Sequence, residues 1–141
     1  MANSTVLEII TPSKVFYKGD IEMVIVRTHL GEEGFMANHA WACKILNAGP
    51  LWIQEAGSKD FKVASIAGGF IDVRKSIVIY TDSAEWPEDI DVERAESERQ
   101  KAEEWLESPS EDPYEIEQAK LIITKSAARL KVKEGGGKRR K

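Results

Sequence analysis

The chain has 141 residues, about one ordinary domain's length, with 20 Lys and Arg against 24 Asp and Glu and a formal charge of −4. Mild acidity argues against nucleic-acid binding as the main function, which needs a basic footprint. A hydrophobic content of 42% argues against whole-chain disorder. No apolar stretch approaches a membrane span, and the opening Met-Ala-Asn-Ser-Thr has no basic-then-apolar pattern of a secretory leader. The single cysteine, Cys43, excludes an internal disulfide framework and a cysteine-rich zinc site. The expected location is cytoplasmic.

Residues 1–87 carry 18 charges in 87 positions, and residues 88–141 carry 26 in 54. Seven of the ten glycines precede Pro87. The first part therefore reads as strands and turns. Its runs rich in Val, Ile, Phe and Thr are Thr5–Ile10, Val15–Tyr17, Ile21–Thr28, Leu51–Glu55, Phe61–Ala67, Phe70–Val73 and Ile77–Thr81. Turn formers separate them at Lys18-Gly19-Asp20, Asn47-Ala48-Gly49-Pro50, Ala56-Gly57-Ser58 and Gly68-Gly69. Many short strands in so few residues mean two small packed sheets or a barrel.

After Pro87 the period becomes helical. Asp89 or Asp91 can cap a helix running to about Glu107, with Ala95, Ala102, Trp105 and Leu106 on a narrow apolar face. Ser108-Pro109-Ser110-Glu111 breaks it. Asp112-Pro113 then starts a second helix, whose stripe of Ile116, Ala119, Ile123, Ala127 and Leu130 recurs at three- and four-residue spacing. Gly135-Gly136-Gly137 ends it, and Lys138–Lys141 is a basic tail. The fold class is thus α+β in two parts: a β-sandwich at 1–87, an antiparallel two-helix hairpin at 88–134, and a disordered tail at 135–141. Residues 88–107 have a net charge of −6 and residues 113–134 of +2, so opposite signs favour the pairing. Exposed ion pairs contribute only about 0–1 kcal/mol each, so a hairpin held this way is able to leave its resting place.

No catalytic constellation is expected. His29 and His39 stand apart from any ligand cluster, which speaks against a metal site. Cys43, among Trp41, Ala42, Ile45 and Leu46, reads as a small buried hydrophobe. There is no Gly-x-x-x-x-Gly-Lys-[Ser/Thr] phosphate loop. Ala67-Gly68-Gly69-Phe70 lacks a following helix and reads as a bulge or tight strand connection.

Three segments in order resemble one family. Gly31-Glu32-Glu33-Gly34-Phe35-Met36-Ala37-Asn38-His39-Ala40 is similar to the Gly-Glu-x-Gly-x-x-Pro-x-His-Ala loop of the epsilon subunit of bacterial F-type ATP synthase. Gly68-Gly69-Phe70-Ile71-Asp72-Val73, with Ala84-Glu85 further on, is similar to its Gly-Gly-Phe-x-x-Val and Ala-Glu segments. Ile90-Asp91-Val92-Glu93-Arg94-Ala95 matches Ile/Leu-Asp-x-x-Arg-Ala. Two positions depart from the pattern: Ala37 and Trp41 stand where the family usually has proline, which fixes its own φ and stiffens the loop.

The resemblance implies a ten-stranded sandwich and a place in the central rotating stalk, between the gamma subunit and the c ring. It implies a hairpin that folds down on the sandwich or extends along gamma into the catalytic head of alpha and beta subunits, inhibiting ATP hydrolysis. It also implies a peripheral position on the cytoplasmic face of the membrane, reached through the complex, with no catalytic role of its own and no nucleic-acid partner. Glu32 and His39 would meet the ring or gamma. Lys120, Lys125, Arg129, Lys131 and Lys133 would form the basic face of the inhibitory helix. No cofactor is required, but ATP is a candidate regulatory ligand, held by Glu85, Ile90, Asp91, Arg94, Ala95, Lys125 and Arg129. Lys125 stands where ATP-binding relatives carry arginine; it keeps the charge and lacks the planar fork that grips phosphate. The alternative is a free-standing sandwich that binds a carbohydrate or peptide through Trp41 and Trp52, with the helices serving dimerisation.

Overall fold

The computed structural model describes residues 3–108 and 112–134; the Pro109–Glu111 part of the interhelical break and the tail at 135–141 lie outside them. Seven strands come first: β1 (Thr5–Ile10), β2 (Val15–Thr28), β3 (Gly31–Met36), β4 (Ala42–Glu55), β5 (Lys62–Val73), β6 (Ile77–Tyr80) and β7 (Ala84–Glu85). A 3-10 turn at Pro87–Asp89 leads into α1 (Val92–Glu107) and then α2 (Pro113–Lys133).

The expected sandwich is divided differently from the sequence runs. Seven strands take the place of about ten, because β2 and β4 run 14 residues and β5 runs 12. Three stretches with turn composition lie inside them. Gly19 and Asp20 pair with Leu7 and Val6. Ala48, Gly49 and Pro50 pair with Ala67, Ile66 and Ser65. Gly68-Gly69 carries β5 through a bend at φ values of 97° and 120°. A side chain at Gly69 would put its Cβ 1.9 Å from the Tyr80 carbonyl oxygen, so only glycine lets β5 pass β6 there.

The sheet closes on itself. Its order β1-β6-β5-β4-β2 returns to β1, which pairs in parallel with β6 and antiparallel with β2. Closure leaves few open edges. Alternation along each strand then decides which side chains go in. Leu7, Ile9, Ile21, Val24, Val26, Phe35, Leu51, Ile53, Ile71, Ile77 and Ile79 form the dry centre of a fourteen-residue cluster. Phe16 and Trp86 stack at its margin with ring centroids 4.6 Å apart. Cys43 falls on the outward phase of β4 and is exposed, contrary to the buried reading; apolar neighbours in sequence do not bury a residue whose strand phase points out.

Asp91 caps α1, accepting a hydrogen bond from the Arg94 amide, and Asp112 caps α2 through the Tyr114 amide, with Pro113 in its first turn. α2 packs on α1 on one side and on β4, β5 and the 3-10 turn on the other, so the hairpin lies folded on the sandwich. This double contact alters the expected stripe. Ala119, Ser126, Ala128, Leu130 and Val132 are buried, whereas Ala127 is exposed. A helix wedged between two surfaces buries more than one stripe. On α1 only Ala95 and Ala102 are buried.

Candidate functional site: a charged pocket between hairpin and sandwich

Where α2 crosses β5 and β7, a pocket of about 390 Å³ opens between sheet and hairpin. Ser65, Ile66 and Ala67 of β5 form its floor with Ser83 and Glu85, while Arg94 and Glu98 of α1 and Ile122, Lys125, Ser126 and Arg129 of α2 form its walls. Arg129 lies four residues after Lys125 and three after Ser126, so it shares a helical face with each.

The polar contacts run as a chain across three elements. Arg129 donates from Nε to Glu85 Oε1 at 2.7 Å and from Nη2 to Glu85 Oε2 at 3.1 Å, a forked pair joining α2 to β7. Its remaining nitrogen, Nη1, lies 3.7 Å from Glu98 Oε2. The other oxygen of Glu98 accepts from Arg94 Nε at 3.0 Å. The Arg129 side chain is 18% exposed and that of Glu85 27%, so this pair is screened less than a surface pair. Lys125 has no ion-pair partner among the described residues. Three cations thus face two carboxylates.

The structure therefore brings together Glu85, Arg94, Lys125 and Arg129 of the sequence candidates. Ile90, Asp91 and Ala95 do not line the pocket. Ile90 and Ala95 are buried, and the Asp91 carboxylate holds the start of α1. Glu98 is in the pocket and was not singled out by sequence. Its signal was present: it is four residues after Arg94, the spacing of a helical ion pair. Among the other basic candidates of α2, Lys133 Nζ donates to the Pro87 carbonyl at 3.0 Å, Lys120 lies 4.0 Å from Glu117, and Lys131 is exposed.

Glu32 and His39 lie elsewhere, in β3 and the turn after it. Glu32 is exposed and 4.0 Å from Arg27 on the paired strand. The His39 amide donates to the Met36 carbonyl, and its ring meets Phe35 edge-on at 4.8 Å. Asn38 supplies the positive φ, 66°, that turns the chain there. Beside this turn the Glu33 carboxylate accepts from Lys44 Nζ and Thr28 Oγ1. The Lys44 ammonium, then the Thr28 hydroxyl, hold that carboxyl below the usual carboxylate range. The Tyr17 hydroxyl donates to Glu55 at 2.8 Å and pulls its carboxyl down likewise; burial first, then Glu55, pushes the Tyr17 phenol up.

The alternative ligand face is not formed. Trp41 is 68% exposed, with the Arg74 guanidinium over its ring, whereas Trp52 is 3% exposed on β4. The two indoles present no shared surface to a ligand. Among the described residues no group of three His, Cys, Asp or Glu side chains could hold a metal ion, and no helix is long and apolar enough to cross a membrane.

A strand-built barrel whose helical hairpin docks back on its own sheet through an arginine–carboxylate fork defines a two-part, sandwich-plus-hairpin protein. The chain belongs to the ATP synthase delta/epsilon chain family: residues 4–87 match the model of its β-sandwich domain and residues 88–134 that of its long α-helix domain. It is 38% identical to the ATP synthase epsilon chain of Desulforamulus reducens over 135 residues, covering 95% of this chain and all of that one. It is 38% identical to that of Caldanaerobacter subterraneus, covering 89% and 91% of the two chains. With the epsilon chain of Alkaliphilus metalliredigens it shares 44% over 76% of this chain and 79% of the other. Among solved structures, a chain of the Euglena gracilis mitochondrial ATP synthase, in its assembly of OSCP, F1 and c-ring, shares the fold. Its TM-score is 0.68 at 23% identity, over 95% of this chain and 79% of that one.

Proposed function

We propose that this chain is the non-catalytic epsilon subunit of an F-type ATP synthase central stalk, peripheral on the cytoplasmic face of the membrane. Its sandwich couples the gamma subunit to the c ring, with Glu32 and His39 at that junction. Its hairpin, when released, extends along gamma and inhibits ATP hydrolysis. The family match and the similarity to chains from F1/c-ring and central stalk/c-ring assemblies support the stalk placement.

The observation that carries the regulatory part is the weakness of the docking. The sandwich has a fourteen-residue apolar core with no helix residue in it, whereas α2 meets β4 and β5 with Leu130 and Val132 as its only large buried side chains and α1 packs on α2 rather than on the strands, so the hairpin is the easier part to detach. Detachment frees Arg129 and Lys133, which with Lys125 form one basic helix face, Lys120 and Lys131 adding charge on the opposite side, suited to acidic groups on catalytic subunits. ATP binding to the folded form is part of the same reading. Arg94, Lys125 and Arg129 converge on one pocket of sufficient size for phosphates.

Two measurements test this. A pull-down with the gamma subunit should succeed with the whole chain and with residues 1–87 alone; failure of both with a folded partner removes the stalk placement. Calorimetric titration with ATP should release heat and raise the melting temperature. No heat and no stabilisation up to millimolar nucleotide removes the sensing.

A further inference from the structure

Glu98 is the only carboxylate of α1 in the pocket, and its position is unusual for a residue beside a site built of cations. One oxygen accepts from Arg94 and the other faces Arg129, so a single carboxylate spans the two arginines that a phosphate would use. Glu85 occupies the other side of the Arg129 fork. The three cations are thus already offset by two anions, leaving one net positive charge for a ligand. The fork on Glu85 leaves Arg129 Nη1 free of a hydrogen bond among the described residues and 3.7 Å from Glu98, so a polyphosphate that takes Arg129 there competes with a carboxylate for it. Glu98 is the one to go, because its contact with Arg129 is the long one, 3.7 Å against 2.7 and 3.1 Å for Glu85.

We propose that Glu98 is an internal stand-in for phosphate: it ties α1 to α2 in the ligand-free protein and competes with nucleotide for Arg94 and Arg129. It limits the affinity for phosphate in the nucleotide reading, on which the competition half of the inference rests. The bridge between the helices does not depend on that reading. Two consequences separate the roles. Without ligand, losing the charge of Glu98 loosens the hairpin. With ligand, the same loss removes a competitor and tightens binding. A residue that merely positioned the arginines would weaken binding when altered.

The test uses the full chain and its Glu98→Gln variant, which keeps shape and helix propensity. Amide exchange of α2 without nucleotide should accelerate about two- to fivefold in E98Q, the range of one partly exposed ion pair. Unchanged exchange overturns the bridge. In calorimetry with ATP as the probe, E98Q should bind about two- to fivefold more tightly than the parent, and inorganic tripolyphosphate should show the same ratio because the competition concerns phosphate alone. Equal or weaker binding by E98Q overturns the competition. If neither protein binds either probe, the nucleotide reading and the competition fall together, while the exchange result still decides the bridge. Arg129→Gln serves as the control, expected to accelerate exchange by itself and, combined with E98Q, to remove the gain in affinity.

Discussion

Arg129 shows how one residue can carry a contact between two parts of a chain. Its fork satisfies both oxygens of Glu85, a geometry lysine cannot reproduce. Arg129→Lys should therefore accelerate hairpin opening nearly as much as Arg129→Ala, measured by amide exchange of α2; full protection in the lysine variant would show that charge alone suffices. Gly69 is a second single-residue dependence. Gly69→Ala places a Cβ on the Tyr80 carbonyl at a φ of 120°, and should cost more than about 2 kcal/mol in denaturant unfolding. Protonation has a defined sign. Glu33 and Glu55 have folded-state values below their unfolded ones, so the unfolded chain binds more protons as pH falls through the carboxylate range. Their contribution is complete above about pH 4.5 and is lost below it. The melting temperature should fall through that range, and Glu33→Gln should flatten the fall.

Elements were legible in the sequence to different degrees. Both helices were visible because cap, proline and period agree: Asp112-Pro113 begins α2 as its residue chemistry requires. Most strands were visible as apolar runs, but their continuity was not, and β3, the first half of β4 and β7 were missed: Gly31–Met36 reads as a loop from its glycines and glutamates, yet pairs with β2 along its whole length. Gly19, Pro50 and Gly68-Gly69 signal turns locally, yet ladder pairing with neighbours far along the chain holds them extended. The exposure of Cys43 and Ala127 was hidden for the same reason: strand phase and a second packing surface are tertiary facts. Of the pocket, the cations and Glu85 were legible through a family pattern, whereas Glu98 looked like one more charge on an acidic helix. At this scale the hairpin should open before the barrel. Exchange of α1 and α2 should exceed that of β2, β4 and β5, since losing one large core side chain costs about 2–5 kcal/mol and the helices bury mostly small ones.

For the whole molecule, the division of labour follows from where burial is concentrated. The barrel carries its own apolar core, to which neither helix contributes a residue. The hairpin is tied to the sandwich by polar bonds to Glu85 and Pro87, and the proposed release would exchange these bonds and bury the same face against a partner. That combination suits a subunit that joins rotating parts permanently while one element changes position. The most direct measurement is ATP hydrolysis by the assembled ATP synthase complex, comparing the whole chain with one ending at Pro87. Removal of residues 88–141 should raise hydrolysis, and raised salt should narrow the difference by screening the basic face of α2. Equal rates from the two complexes would contradict the regulatory role of the hairpin.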